Sequence, residues 1–194
     1  MKLILASTAK NKSDILDTVF IKHECMGSDF NERSVECENV YDYVKILSLE
    51  KAKSVAQKVE GKIVLGLDTV CVIGGEVVLK PKSIEDVKNS LRKSSNATNK
   101  VITGIALIDQ STGKIENTFC ETKVTFREIN EDAIEFYIQN EPNCMYASGF
   151  IVETILSNFI GNIEGSYYNI LGVPCETIYK ILTEWEYDLK DFQN

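Results

Sequence analysis

Three short segments carry polar or charged side chains where the flanking sequence is apolar. The first, residues 6–12, places Ser7 and two lysines, Lys10 and Lys12, between a predicted strand and a predicted helix. A helix N-terminus presents free backbone N–H groups and the positive end of the helix dipole. With hydroxyls and lysines beside it, this segment is a candidate anion site. The alternative is simple N-capping by Ser7 or Thr8, with solvated lysines.

The second segment, residues 66–70, puts Asp68 and Thr69 in the middle of an otherwise apolar β run. A buried carboxylate must be paired, bind a metal or titrate abnormally, because an isolated buried charge is costly. The alternative is a bulge or strand end that leaves Asp68 solvated. The third segment, Lys80-Pro81, ends a hairpin and is weak on its own, because such a pair is most often a surface turn.

Together, the three segments indicate phosphate-binding groups around a carboxylate that could hold Mg²⁺, as in metal-assisted phosphoryl chemistry. Neither a Walker A loop nor a G-x-G-x-x-G motif is present, so at the level of motifs the sequence does not support a P-loop or a Rossmann nucleotide-binding site. The six cysteines are scattered without a C-x-x-C pair, so zinc-site spacing is absent. The one histidine, His23, stands among charged residues and is expected to be solvated, which disfavours a Cys/His or Ser/His/Asp triad.

Composition narrows the class of protein. The 194 residues are 44% hydrophobic, without repeats or a linker, which predicts a single domain over residues 1–194. A net charge of -8 disfavours a nucleic acid polymer as partner, since such binding depends on phosphate neutralisation. No stretch approaches the roughly 20 apolar residues of a membrane-spanning helix. We therefore expect a cytoplasmic protein with no membrane partner.

The hydrophobic periodicity predicts a mixed order of strands and helices. Predicted strands cover residues 2–6, 62–67, 70–73, 76–79, 100–108, 114–127 and 159–164. A first predicted helix follows the N-cap candidates Ser7-Thr8 and has its apolar positions in residues 15–20. Further predicted helices cover residues 40–59, 83–94 and 131–139, and a last helix opens at Pro174. Gly74-Gly75 is a two-residue hairpin signal. This order predicts an α/β fold with a long, bent mixed β-sheet and flanking helices.

Several different short motifs follow one another in a specific order along nearly the whole chain. They are Leu5-Ala6-Ser7, Asn31-Glu32, Lys51-Ala52, residues 66–70, Lys80-Pro81, Thr103-Gly104, Glu141-Pro142, Gly149-Phe150 and residues 163–174. In this order and at this spacing they resemble the motifs of the Maf family of nucleotide pyrophosphatases. Each motif alone is weak, and their number in one register makes the resemblance specific.

The resemblance implies the fold of the inosine triphosphatase superfamily, with two lobes around a nucleotide cleft. It implies hydrolysis of a nucleoside triphosphate between the α and β phosphates, which yields a nucleoside monophosphate and pyrophosphate. It also implies a requirement for Mg²⁺ or Mn²⁺, a housecleaning role against modified nucleotides, and a homodimer.

The resemblance assigns roles to individual residues. Glu32 and Asp68 would serve the metal and the attacking water, with Asp68 as general base, and Lys80 would complete the catalytic set. The expected substrate-binding residues are Ser7, Lys10, Asn11, Lys12, Lys51, Thr69, Lys80 and Glu153. Ser7, Asp68 and Lys80 are also marked by the residue patterns themselves, whereas Glu32 and Lys51 rest on the resemblance alone.

One departure from the family concerns the phosphate-binding turn. The family usually has Ser-Pro-Arg-Arg where this chain has residues 9–12, Ala-Lys-Asn-Lys. Asn11 replaces a guanidinium, and Lys12 replaces a planar fork with a point charge. This departure keeps a second interpretation open, a nucleotide-binding regulator of cell division without turnover.

A second departure concerns the base pocket. Residues 143–150 lack the Asp-Lys-Ala-Gly of the branch that acts on uridine and thymidine triphosphates. Glu153 stands where that branch has Gln, as in the branch that acts on 7-methyl-GTP. A carboxylate accepts two hydrogen bonds from the guanine Watson-Crick edge. We therefore expect 7-methyl-GTP as substrate, with dTTP and UTP, inosine or xanthosine triphosphate as alternatives, and a solvated Glu153 as the plainer interpretation.

Overall fold

A computed structural model describes residues 3–146 and 148–193, so Lys2 of the first predicted strand lies outside the described residues. The described strands are β1 (Leu3–Leu5), β2 (His23–Cys25), β3 (Ile63–Ile73), β4 (Glu76–Val78), β5 (Thr98–Asp109), β6 (Ile115–Phe126) and β7 (Ile160–Glu164). The described α-helices are α1 (Lys10–Thr18), α2 (Val40–Ala56), α3 (Ile84–Ser94), α4 (Glu131–Asn140), α5 (Tyr167–Ile170) and α6 (Cys175–Glu184). Short 3-10 helices cover Glu32–Ser34, Ile155–Phe159 and Leu189–Phe192.

The strands form one mixed sheet in the order β2-β1-β3-β5-β6-β7, with β4 paired to β3. Strand β1 runs parallel to β2 and β3, whereas β3–β4 and β6–β7 are antiparallel. This confirms the predicted α/β class and mixed sheet. The chain divides into two compact units, Met1–Thr69 with Thr103–Cys120 and Ser166–Asn194, and Val70–Ile102 with Glu121–Gly165. The nucleotide cleft stays a prediction.

In the first unit, the side chains of β3 alternate between two apolar clusters. Leu65 and its odd-numbered neighbours pack with Leu16 of α1 and Ile178 of α6. Val64 instead packs with Ala52 of α2. Because successive strand residues point to opposite faces, the even-numbered positions of β3 within the first unit face α2. The odd-numbered positions face α1 and α6.

Two strand glycines allow α2 to lie directly against the sheet. A Cβ at Gly66 of β3 would lie 2.1 Å from the Ser48 carbonyl oxygen, and one at Gly104 of β5 would lie 2.0 Å from that of Val44. Any larger residue would collide with the helix backbone at both positions. Glycine inside a strand often marks such a close approach.

In the second unit, α3 begins at a capping box. The Ser83 hydroxyl accepts from the Asp86 backbone N–H, and the Asp86 carboxylate accepts from that of Ser83. This confirms the predicted start of the helix. The hairpin between β3 and β4 is also confirmed, since Gly74 and Gly75 have φ values of 60° and 84°, as a tight turn with left-handed residues requires.

Several local predictions differ from the structure. Helix α1 begins at Lys10 with Ala9 as its N-cap, so the predicted capping by Ser7 or Thr8 is wrong; Ser7 Oγ instead accepts from the Ala9 N–H at 3.1 Å. Helix α2 ends at Ala56, three residues before the predicted end. Strand β2 was missed, because three residues are too few to show a period.

Candidate active site

A three-residue ionic cluster lies at the face of β3 that is turned toward α2. The Lys51 ammonium, on α2, lies 2.5 Å from Oδ1 of Asp68 and 2.9 Å from Oε1 of Glu32. Glu32 opens a 3-10 turn that is capped by the Asn31 side chain. The side chains of Lys51 and Asp68 are 13% and 12% exposed, and that of Glu32 is 54% exposed. The cluster is therefore open to solvent on the Glu32 side.

The cluster explains how a carboxylate is buried in the middle of a strand. Asp68 lies within the continuous strand β3, so the alternative of a bulge or a strand end with a solvated side chain is wrong. Burial lowers the pKa of Lys51, but the charge of Asp68 and hydrogen bonds to Asp68 and Glu32 outweigh it and raise the pKa. The ammonium thus stays charged and compensates the buried carboxylate.

A second ammonium lies beside this cluster. Lys12 of α1 donates a hydrogen bond to the Leu67 carbonyl oxygen at 3.1 Å. Burial lowers the pKa of Lys12 to about 8, and the nearby charge of Lys51 lowers it too, while Asp68 and Glu32 act in the opposite sense. A partly desolvated ammonium gains strongly from an anion, because little water competes for it.

The face of β3 opposite to Asp68 holds Thr69 in a fixed environment. Its Oγ1 lies 3.0 Å from Oγ1 of the buried Thr103. Gly172 follows α5 with φ of 85°, and a Cβ there would lie 3.1 Å from Thr69 Oγ1 and 3.5 Å from Lys12 Cε. The backbone at Gly172 therefore packs closely against the side chain of Thr69 and the aliphatic part of Lys12.

The other predicted substrate-binding residues of the first unit, Ser7, Lys10 and Asn11, lie just before α1 or in its first turn. Ser7 uses its hydroxyl on the Ala9 N–H, as described above. Lys10 is exposed and pairs with Asp14 one turn later at 2.6 Å. Asn11 is exposed. The structure thus brings together Lys12, Glu32, Lys51, Asp68 and Thr69, and leaves Lys10 and Asn11 solvated at the start of α1.

Lys80 and Glu153 belong to the second unit. Lys80 is exposed, and its Nζ lies 5.6 Å from the centroid of the Tyr146 ring, within the range of a cation–π contact. Together with Leu79 and Lys82 it lines an open cavity of about 340 Å³. Glu153 is exposed in the turn before the 3-10 helix Ile155–Phe159.

Sequence reasoning missed Tyr43. Burial raises the pKa of its phenol, and the charges of Asp68 and Glu32 raise it further. Tyr43 precedes Lys51 by two turns of α2, so the spacing Tyr43, Leu47, Lys51 was the available signal. Thr103 and Gly172 stood in recognised motifs, but nothing in the sequence linked them to Thr69.

The prediction of a solvated His23 is wrong. Its side chain is 2% exposed, and its Nε2 lies 2.8 Å from Ser13 Oγ on α1. The Nδ1 atom lies 2.9 Å from the Ile21 carbonyl oxygen, an acceptor, so Nδ1 carries a proton and donates it to this bond. The histidine thus ties α1 to β2.

No group of three or more His, Cys, Asp or Glu side chains among the described residues is arranged to hold a metal ion. No helix in residues 3–146 or 148–193 is both long and apolar enough to cross a bilayer.

Comparison with known proteins gives a consistent result. The family model described as Maf-like protein matches residues 2–185. A dTTP/UTP pyrophosphatase of Clostridium perfringens is 35% identical over 188 residues, 96% of this chain and 98% of that protein. Proteins of the same name from Syntrophus aciditrophicus and Clostridium acetobutylicum are each 33% identical, over 94% of this chain and 89% and 96% of their own lengths. The chain therefore belongs to the Maf family.

Proposed function

We propose that this protein is a nucleoside triphosphate pyrophosphatase, which hydrolyses its substrate between the α and β phosphates to a monophosphate and pyrophosphate. The observation that carries the proposal is the position of Asp68, a carboxylate held in a strand by Lys51 beside the desolvated ammonium of Lys12. Family membership and the names of the relatives support the same reaction.

In this proposal Asp68 is the general base that takes a proton from the attacking water. In the absence of metal its Oδ1 is bonded to Lys51, and the continuous strand β3 holds the carboxylate in position. General-base catalysis requires such a fixed group within reach of the proton. Glu32, the more exposed carboxylate, flanks the same ammonium on the solvent side.

In this proposal Lys12 and Lys51 neutralise the phosphate tail, Ser7 hydrogen-bonds to it, and Lys10 and Asn11 lie at its rim. Lys80, in the second unit, stays a predicted phosphate-binding residue. The chain as a whole carries a net charge of -8 and offers a triphosphate no general attraction. Binding must therefore rely on local cations. The hydroxyl of Thr69, held by Thr103, is an additional donor to the substrate.

The donor set of the cluster fits a divalent cation. Mg²⁺ usually binds proteins through one or two carboxylates, while waters and substrate phosphates complete its coordination. Glu32 and Asp68 are two such carboxylates, and both already converge on one cation, the Lys51 ammonium. Mg²⁺ or Mn²⁺ held by them would polarise a phosphoryl oxygen as a Lewis acid.

Two substrate classes have support. The names of the relatives favour dTTP and UTP. The exposed carboxylate of Glu153 favours a guanine edge and so 7-methyl-GTP. We place dTTP and UTP first, because 96% of this chain aligns with a protein of that name, whereas the second class rests on one residue.

The test is a pyrophosphate-release assay over natural, methylated and deaminated nucleoside triphosphates with Mg²⁺ or Mn²⁺. Pyrophosphate release from any of them supports the proposed reaction. The ratio of kcat/KM for dTTP to kcat/KM for 7-methyl-GTP decides the substrate class. Tight binding of a nucleotide without release of pyrophosphate from any nucleotide tested would favour the alternative, a regulator of cell division without turnover. The feature that favours this alternative is Asn11, which stands where the family usually has an arginine.

A homodimer and a cytoplasmic location remain predictions, to be measured by light scattering and cell fractionation.

A further inference from the structure

The Lys51 ammonium holds a central place among the acidic groups of the candidate site. It contacts one oxygen of Asp68 and one of Glu32, at 2.5 and 2.9 Å. Its side chain is 13% exposed, and it reaches this point from a helix that lies against Gly66 with no space for a Cβ between them. The ammonium is therefore held between the two carboxylates by the packing of α2.

These carboxylate oxygens are also the oxygens that a divalent cation would need. Lys51, Glu32 and Asp68 together carry a net charge of -1, whereas Glu32 and Asp68 without Lys51 carry -2. A hard divalent cation is attracted by the second arrangement and repelled by the ammonium in the first, over a short distance in a partly desolvated place.

From this geometry we infer that Lys51 is a built-in competitor of the divalent cation: metal binds Glu32 and Asp68 only as Lys51 releases them. The released ammonium then becomes available to the phosphate tail. Binding of metal and of triphosphate would thus be coupled through one side chain, and such coupling is reciprocal. The inference rests on the proposed metal-dependent function, but its test needs no turnover.

The test measures binding of Mn²⁺ alone, from the free-ion signal in electron paramagnetic resonance, to the full-length wild type, Lys51→Met and Lys53→Met. Lys53 lies on the same helix and pairs with Glu50, so its loss removes the same charge without touching the cluster. Lys51→Met should bind Mn²⁺ at least about tenfold more tightly than wild type, because a cation a few ångströms away has been removed. Lys53→Met should stay within about twofold of wild type.

Equal or weaker Mn²⁺ binding by Lys51→Met than by the wild type overturns the inference, and so does a failure of both the wild type and Lys51→Met to bind Mn²⁺.

If Lys51→Met does not fold, limited acetylation of the wild type decides. Saturating Mn²⁺ should raise the labelling of Lys51 at least about threefold, as expected for an ammonium released from its ion pairs, and leave Lys53 unchanged; a Lys51 that stays protected overturns the inference. If Mn²⁺ binding tightens as expected but no pyrophosphate is released, the proposed function fails and the inference stands.

Discussion

The Lys51 ammonium lies 2.5 Å from Oδ1 of Asp68, although the two residues are 17 positions apart and belong to a helix and a strand. The contact depends on Gly66, two residues before Asp68, where α2 approaches β3 without an intervening Cβ. A larger residue would move the helix axis outward and carry Lys51 with it. The charge pair is thus a product of backbone packing, and the site can be disturbed without altering a charged residue.

Gly66→Ala tests this dependence. A Cβ 2.1 Å from the Ser48 carbonyl oxygen must displace α2, so we expect the free energy of unfolding to fall by about 1–3 kcal/mol. Pyrophosphate release should fall further than the loss of folded protein explains. Gly61→Ala is the control for the steric effect: nothing lies within 4 Å of that position, and its φ of 61° adds only backbone strain of order 1 kcal/mol, away from the site. Wild-type stability and activity in Gly66→Ala would show that the close approach is not needed.

Gly172→Ala tests the close packing against Thr69 and Lys12. The new Cβ would press on Thr69 Oγ1 at 3.1 Å, so we expect KM for the triphosphate to rise about tenfold or more, as for a misplaced binding group. Gly113→Ala is the matched control, because it has a similar φ of 75° but open space around it. Both variants suffer the same backbone strain, of order 1 kcal/mol. Equal KM values in the two would remove Gly172 from the site.

The pKa of Lys12 predicts a dependence of substrate binding on pH. Because burial lowers that pKa to about 8, the ammonium is charged below pH 8 and loses its proton above it. KM should therefore rise between about pH 7.5 and 9.5, and binding at pH 8.5 should take up a proton, measurable by calorimetry in two buffers. Lys12→Arg keeps its charge throughout this range and should flatten the profile. A KM that is constant in the wild type would contradict a role for Lys12 in phosphate binding.

The same shift has a consequence for stability. The unfolded chain holds this proton up to the ordinary pKa of 10.5, whereas the folded protein holds it only to about 8. Burying the charged form therefore costs stability below pH 8, and the cost falls as pH rises from 8 to 10.5. Lys12→Met should raise the free energy of unfolding at pH 7 by about 1–3 kcal/mol, measured by urea denaturation. The gain should shrink at pH 10.

Glu153→Gln tests the base specificity. If this exposed carboxylate accepts hydrogen bonds from a guanine edge, its amide variant should lose about tenfold in kcat/KM for 7-methyl-GTP, as for the loss of a charge-assisted hydrogen bond. Use of dTTP should not fall. A preference that is unchanged across the panel would place base recognition elsewhere, in agreement with the solvated position of Glu153.

Local signals predicted some of this site and long-range packing decided the rest. Asp68 was recognisable because a carboxylate inside an apolar β run needs a partner, and Lys12 because it follows a strand end. Lys51 came only from the resemblance to a family, since a lysine on an amphipathic helix is usually solvated. The contact between Thr69 and Thr103 joins residues 34 positions apart, and no local pattern reports it. His23 was misjudged because its partner is Ser13, ten residues earlier on another element, and no local pattern reports that contact.

The most direct test of the central claim is pyrophosphate release by Asp68→Asn. This change keeps the shape of the side chain and removes its basicity, so we expect kcat to fall at least about 100-fold. Near-ultraviolet circular dichroism should show a folded protein. Asp42→Asn, an exposed change on α2, should keep wild-type activity. A folded Asp68→Asn protein with wild-type turnover would contradict the assignment of Asp68 as the general base, and with it the proposed active site.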